Sequence, residues 1–125
     1  MTQLAHVNIR STDLEESVAF YRDILGLRPG PAATRPHSND HVWMSDEHGN
    51  PCIHLQRTDA AAADGREHAG MHHLALACSD AENWREKLRS MGIDYQESEF
   101  AGANLVQINL LDPDGVRIEL LFEAA

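Results

Sequence analysis

Four side chains able to bind a metal stand at matching places in two similar halves of the chain: His6, His54, His73 and Glu119. Residues 6–27, HVNIRSTDLEESVAFYRDILGL, align with residues 73–93, HLALACSDAENWREKLRSMGI. Each stretch opens on a histidine (His6, His73), has an aspartate seven residues later (Asp13, Asp80) and closes on a glycine (Gly26, Gly92). The ends of the halves match as well, Ile53-His54-Leu55 with Ile118-Glu119-Leu120. A duplicated unit that closes on itself would gather the first pair and the last pair about a pseudo-twofold axis. Three imidazoles and a carboxylate suit Fe, Mn, Co, Ni or Zn. Any one of the four alone reads as an ordinary strand histidine or a paired carboxylate. Their repeat-equivalent placement is what points to a metal.

Strands and helices must position these groups. Leu4–Ser11 alternates apolar and polar residues, as a half-buried strand does. Asp13 then caps a helix, with Glu16 at the capping-box position, an apolar stripe of Leu14, Val18, Tyr21 and Leu25, and Gly26 as its stop. Residues 29–40 read as a loop that starts on a short strand, with too little apolar content to be pinned, and are expected to form a mobile flap. His41–Ser45 and Pro51–Gln56 are strands joined by the turn 46–50. The second half repeats the plan: strand Met71–Cys78, a helix capped by Ser79 or Asp80 with Trp84, Leu88 and Met91 on one stripe, strand Ile93–Ser98, and a hairpin of Asn104–Leu111 and Val116–Phe122 about Asp112-Pro113-Asp114-Gly115. The fold class is therefore α+β: paired βαβββ modules, about 1–57 and 71–125 with a connector at 58–70, forming one curved, partly open barrel or cup with its helices outside.

Period-two geometry assigns the faces. Val7, Ile9, Ile53, Leu55, Leu74, Leu76, Ile118 and Leu120 go against the helices, and His6, His54, His73 and Glu119 go to the opposite, concave side. The repeat favours His73 over His72 as the residue equivalent to His6. His37, His41, His48 and His68 lie in or beside loops and are expected to be solvated surface.

A chain of 125 residues, 42% hydrophobic, can bury a core as one domain. No apolar run approaches the roughly 18 residues of a membrane helix, and the first residues lack the pattern of a secretory signal. The net charge of −10 argues against nucleic acid. Two cysteines without CxxC spacing, Cys52 and Cys78, fit a reducing cytoplasm. No GxSxG or glycine-rich phosphate loop is present.

The segments HVNIRSTDLEESVAFYRDILGL, HHLALACSD and LLDPDGVRIELLF resemble the vicinal-oxygen-chelate superfamily, and the resemblance covers nearly the whole chain. FYRDILGL and DPDGVRIEL are its most specific strings. The superfamily includes glyoxalase I, extradiol ring-cleaving dioxygenases, fosfomycin-modifying enzymes and bleomycin-binding proteins, so the shared fold leaves the reaction open.

The resemblance implies a divalent metal held by His6, His73 and Glu119, and a small substrate offering two neighbouring oxygens. Position 54 separates the subfamilies. Glyoxalase I carries a glutamate there, whereas this chain has His54, which is either a fourth ligand or a general acid-base. Two histidines and a glutamate are the facial triad of extradiol dioxygenases, although the tyrosine those enzymes place about ten residues before the glutamate is Asn109 here. The ligand pattern is thus nearest to a ring-cleaving dioxygenase using Fe2+, with Mn2+, Ni2+, Co2+ or Zn2+ as other choices. A glyoxalase I-type isomerase or lyase and a non-catalytic small-molecule binding or resistance protein are the alternatives. Asn8, Arg10, Cys52, Trp43, Gln107 and Asn109 are expected to line the pocket. The resemblance also implies a homodimer, with modules pairing either within one chain or across the dimer.

Overall fold

The computed structural model describes residues 4–59, 73–100 and 104–123. Most of the expected connector, with His68, Met71 and His72, lies outside the described residues. The chain divides into two compact units, Met1–Glu67 and His68–Ala125. The first contains β1 (Val7–Ser11), α1 (Leu14–Ala19, running on as a π-helix over Phe20–Ile24), β2 (Arg28–Pro31), β3 (His41–Ser45) and β4 (Pro51–Arg57). The second contains β5 (Leu74–Ala77), α2 (Ala81–Ser90), β6 (Gln96–Phe100), β7 (Leu105–Leu111) and β8 (Arg117–Glu123).

Both units have one topology. The sheet orders are β1-β4-β3-β2 and β5-β8-β7-β6. In each, the first strand runs parallel to the last and the other neighbours are antiparallel. Neither four-stranded sheet closes into a barrel. The α+β class and the βαβββ module are as the residue pattern predicts, and the repeat in sequence is a repeat in structure.

The alternation decides the core. Ile9, Ile53 and Leu55 in one module and Ile118 and Leu120 in the other are buried, while Val7, Leu74 and Leu76 are half-buried. The first helix buries Leu14, Ser17, Phe20, Tyr21, Ile24 and Leu25, a wider stripe than the 3.6-residue period predicts because the π-segment turns extra residues inward. Ser17 joins that stripe by bonding Ser11 across the buried helix–strand contact, with the two Oγ atoms 2.6 Å apart.

Caps follow the duplicated aspartates. The Asp13 carboxylate accepts from the Glu16 N–H at 3.1 Å and Asp80 from the Asn83 N–H at 3.2 Å. Asp13 is extended, whereas Asp80 is left-handed at φ 62°. The helices end differently. In the second module the Ile93 N–H returns to the Leu88 carbonyl, and in the first the Leu27 N–H returns to Tyr21, one residue farther back. The first module also has one more residue between its aspartate and its glycine. The π-segment absorbs it.

Several strand boundaries differ from the expected ones, and the first strand begins at Val7 rather than Leu4. The strand expected at Ile93–Ser98 is Gln96–Phe100, because Ile93 is engaged in closing the helix. The loop after β2 is mostly exposed but is anchored at points along it. Ala32 is fully buried. The Arg35 N–H bonds the Ala32 carbonyl, the Ser38 N–H bonds that of Arg35, and the Asp40 carboxylate accepts from Arg57 Nε at 3.0 Å. Arg57 also forks onto Glu15, tying β4 to α1.

Candidate functional site

In the first module the polar face of the sheet gathers aromatic and imidazole rings. Asn8 stands in register with His54 across the parallel pair, and Trp43 stands opposite His54 across the antiparallel pair. These three therefore share a face with His6, immediately before β1, and with His41, Arg10, Cys52 and Gln56. His54 lies at the centre. Its ring centroid is 6.0 Å from His6, 6.2 Å from Trp43 and 5.0 Å from His41. His6 also stands 6.1 Å from Trp43.

The closest contact is between two imidazoles. His41 Nδ1 lies 2.8 Å from His54 Nε2, a hydrogen bond in which one ring donates and the other accepts. The expectation that His41 is solvated surface is corrected here. His41 begins β3 and is half-buried, because strand parity puts it on the same face as Trp43, two residues on. That parity was readable from sequence. His37 and His48 are exposed as expected, and His68 is outside the described residues.

Burial first, then the neighbouring imidazoles of His41 and His6 and the Arg35 guanidinium, push the pKa of His54 below the ordinary imidazole value. Its ring is therefore held neutral around pH 7. Cys52 shares the face, but burial pushes its thiol up, and it donates to the Met44 carbonyl at 3.7 Å. Asn8 donates to Gln56 Oε1 at 3.3 Å. The Trp43 indole N–H is buried and has no hydrogen-bond partner among the described residues.

In the second module Glu119 is 7% exposed between Ile118 and Leu120. A carboxylate so placed needs a cation or donors around it. Ala75 is its partner in register on β5. His73, two residues earlier and on the same face, brings Nε2 to 3.1 Å from Glu119 Oε2. Two donors each about 2.1 Å from one ion, at tetrahedral to right angles, stand roughly 3.0–3.4 Å apart, so this His–Glu pair fits shared ligation of a divalent cation. Asn109 stands beside Glu119 in register, its Oδ1 accepting from Arg117 Nε at 3.3 Å, and Gln107 lies next along the same face.

Each module thus brings the residue just before its first strand together with one on its last: His6 with His54, and His73 with Glu119. Among the described residues no three His, Cys, Asp or Glu side chains gather closely enough to hold an ion.

Comparison with known proteins places the chain in one family. It is 27% identical to the lactoylglutathione lyase of Haemophilus influenzae, over 95% of this chain and 91% of that one. It is 31% identical to the Glyoxylase I 4 protein of Arabidopsis thaliana, over 96% of this chain and 70% of that one. The solved lactoylglutathione lyase of Agrobacterium tumefaciens superposes with a TM-score of 0.71 at 20% identity, covering 98% of this chain and 94% of that one, which establishes the shared fold. Residues 3–120 match one family over nearly their whole span, and the chain belongs to the Glyoxalase/Bleomycin resistance protein/Dioxygenase superfamily.

Proposed function

We propose that this protein is a metal-dependent, glyoxalase-type enzyme that moves a proton within a small substrate carrying two neighbouring oxygens. The observation that carries the reading is His54, which is held by His41 and set among the polar residues of its sheet, where burial favours its neutral form. A neutral imidazole is a competent proton acceptor near pH 7. It occupies the position where glyoxalase I is expected to carry a glutamate, so the base is replaced rather than lost. The full-length similarity to proteins named lactoylglutathione lyase supports the same reading.

The chemistry fits that name. The adduct of a thiol with a 2-oxoaldehyde and a 2-hydroxyacyl thioester are isomers: the hydroxyl proton shifts to the neighbouring oxygen, and a carbon-bound proton moves to the neighbouring carbon. His54 takes that proton and returns it. His6, His73 and Glu119 would hold the divalent metal, which polarises the two substrate oxygens when bound. The Trp43 indole N–H offers a donor to a substrate oxygen, and Asn8, Arg10, Gln107 and Asn109 line the remaining polar faces.

The ring-cleaving dioxygenase expected from the ligand pattern would use the same His6, His73 and Glu119 with Fe2+ and dioxygen. Two free cysteines fit work in a reducing cytoplasm. The exposed Phe100 and Leu111 support a homodimer. No helix among the described residues is long and apolar enough to cross a membrane.

The test is a paired assay on protein loaded in turn with Ni2+, Co2+, Zn2+ and Fe2+. Thioester formation from glutathione and a 2-oxoaldehyde is expected. Oxygen consumption with a catechol, without thioester formation under any metal, would replace this reading with the dioxygenase.

A further inference from the structure

We infer that His41 is a positioning residue: it holds His54 by Nε2, which leaves Nδ1 as the only His54 nitrogen able to act. The hydrogen bond itself stands on the geometry of one module, whereas its consequence for catalysis rests on the function proposed above.

The argument begins with valence. An imidazole has two nitrogens, and the neutral ring carries one proton. His54 Nε2 lies 2.8 Å from His41 Nδ1, so it is engaged whichever ring donates. If His54 Nε2–H donates to His41, both rings take the Nε2–H tautomer, the intrinsically favoured form of a neutral imidazole in water. If His41 donates, both take the less favoured Nδ1–H form. The first arrangement leaves His54 Nδ1 with a free lone pair, which a base requires.

The surroundings keep the pair in place. His41 starts β3 in register with Gln56, and His54 sits two residues from Gln56 on β4, so the two histidines are diagonal neighbours across an antiparallel pair. Arg57 bonds Asp40, the residue before His41, through both backbone and side chain. Trp43 meets the His54 ring edge-on at 65° between planes. The strand carrying His41 is fixed at its entry, and the ring it orients is flanked by an aromatic wall. A hydrogen-bond partner that sets tautomer and ring angle is the usual means by which a working histidine is tuned.

The experiment uses the full 15N-labelled chain, first without metal. A two-bond nitrogen–nitrogen coupling between His54 Nε2 and His41 Nδ1 is expected, with the proton on His54. In His41→Asn the side-chain amide oxygen can accept in place of Nδ1, so the His54 Nε2–H should remain protected from solvent exchange. In His41→Ala its exchange should become about tenfold faster, as loss of one hydrogen bond allows. An unprotonated His54 Nε2 in the wild type, or equal exchange in wild type and His41→Ala, would overturn the inference. Should His41→Ala fail to fold, the wild-type coupling and His41→Asn still decide it. Zn2+ is then added. The coupling should survive, and its loss with a metal-bound shift at His54 Nε2 would overturn the inference that His41 holds this nitrogen. Failure to take up zinc at all would count against the proposed ligands and leave the metal-free result standing.

Discussion

His73, immediately before β5, brings Nε2 to 3.1 Å from Glu119 Oε2 on the parallel strand β8, where the carboxylate is buried and the imidazole is exposed. If both bind one ion, replacing Glu119 removes a direct ligand. Glu119→Ala is expected to lower Zn2+ affinity by more than about 100-fold, beyond what a supporting residue usually costs. It should not unfold the chain, since it removes a buried carboxylate. Metal titration with circular dichroism on the same sample checks both. Unchanged affinity would remove Glu119 from the ligand set.

His54→Gln separates the two roles open to that residue. Metal content should stay whole while turnover slows by roughly 10²–10⁴-fold, the usual worth of a positioned acid-base. Loss of metal would make His54 a ligand. Full turnover with full metal would deny it either role.

The two helix caps should respond differently to substitution. Alanine at position 13 loses only the cap, whereas alanine at position 80 also takes on a left-handed backbone that costs a non-glycine residue roughly 1–2 kcal/mol. The stability gap between the Ala and Gly variants should therefore be about 1 kcal/mol larger at 80 than at 13. Urea unfolding of the four variants measures it.

Acid should weaken the tie between α1 and β4. The hydrogen bond from Arg57 lowers the Glu15 carboxyl from 4.5 to about 2. A folded-state value below the unfolded one means that the unfolded chain binds more protons in this window. The stability from this contact is present above pH 4.5 and is lost as pH falls toward 2. Glu15→Gln should flatten that part of the stability curve. The effect should be small and shrink in salt, because Glu15 is exposed.

In solution the protein should sediment at twice the 13.9 kDa of one chain. The exposed Phe100 and Leu111 are apolar surface for a partner to cover. Phe100→Ser with Leu111→Ser should shift the equilibrium toward the monomer. A wild type that is monomeric at micromolar concentration would end the proposal.

Much of this was legible in the sequence, because strand parity is a local property. The faces of His6, His54, His73 and Glu119 follow from counting by two, and the caps at Asp13 and Asp80 follow from residue type. What failed was judging His41 by its neighbours in sequence, beside a loop. Its parity with Trp43 placed it on the polar face, but its bond to His54 depends on the register between β3 and β4, which includes an irregularity at Met44/Ser45. Register is set by partners distant in the chain. The anchors of the loop after β2 were illegible for a similar reason. They are Ala32, too small to signal a core, and Arg57, which lies on β4.

The π-segment at Phe20–Ile24 is where the two modules differ in length. The two modules share their strand order and their caps but differ by one residue between cap and glycine. A helix can take up such a change by widening one turn, whereas a strand would have had every later side chain reversed between faces. The strands on either side, with His6 and His54 in one module and His73 and Glu119 in the other, keep the same phase, so a one-residue difference in helix length leaves the faces of these residues unchanged.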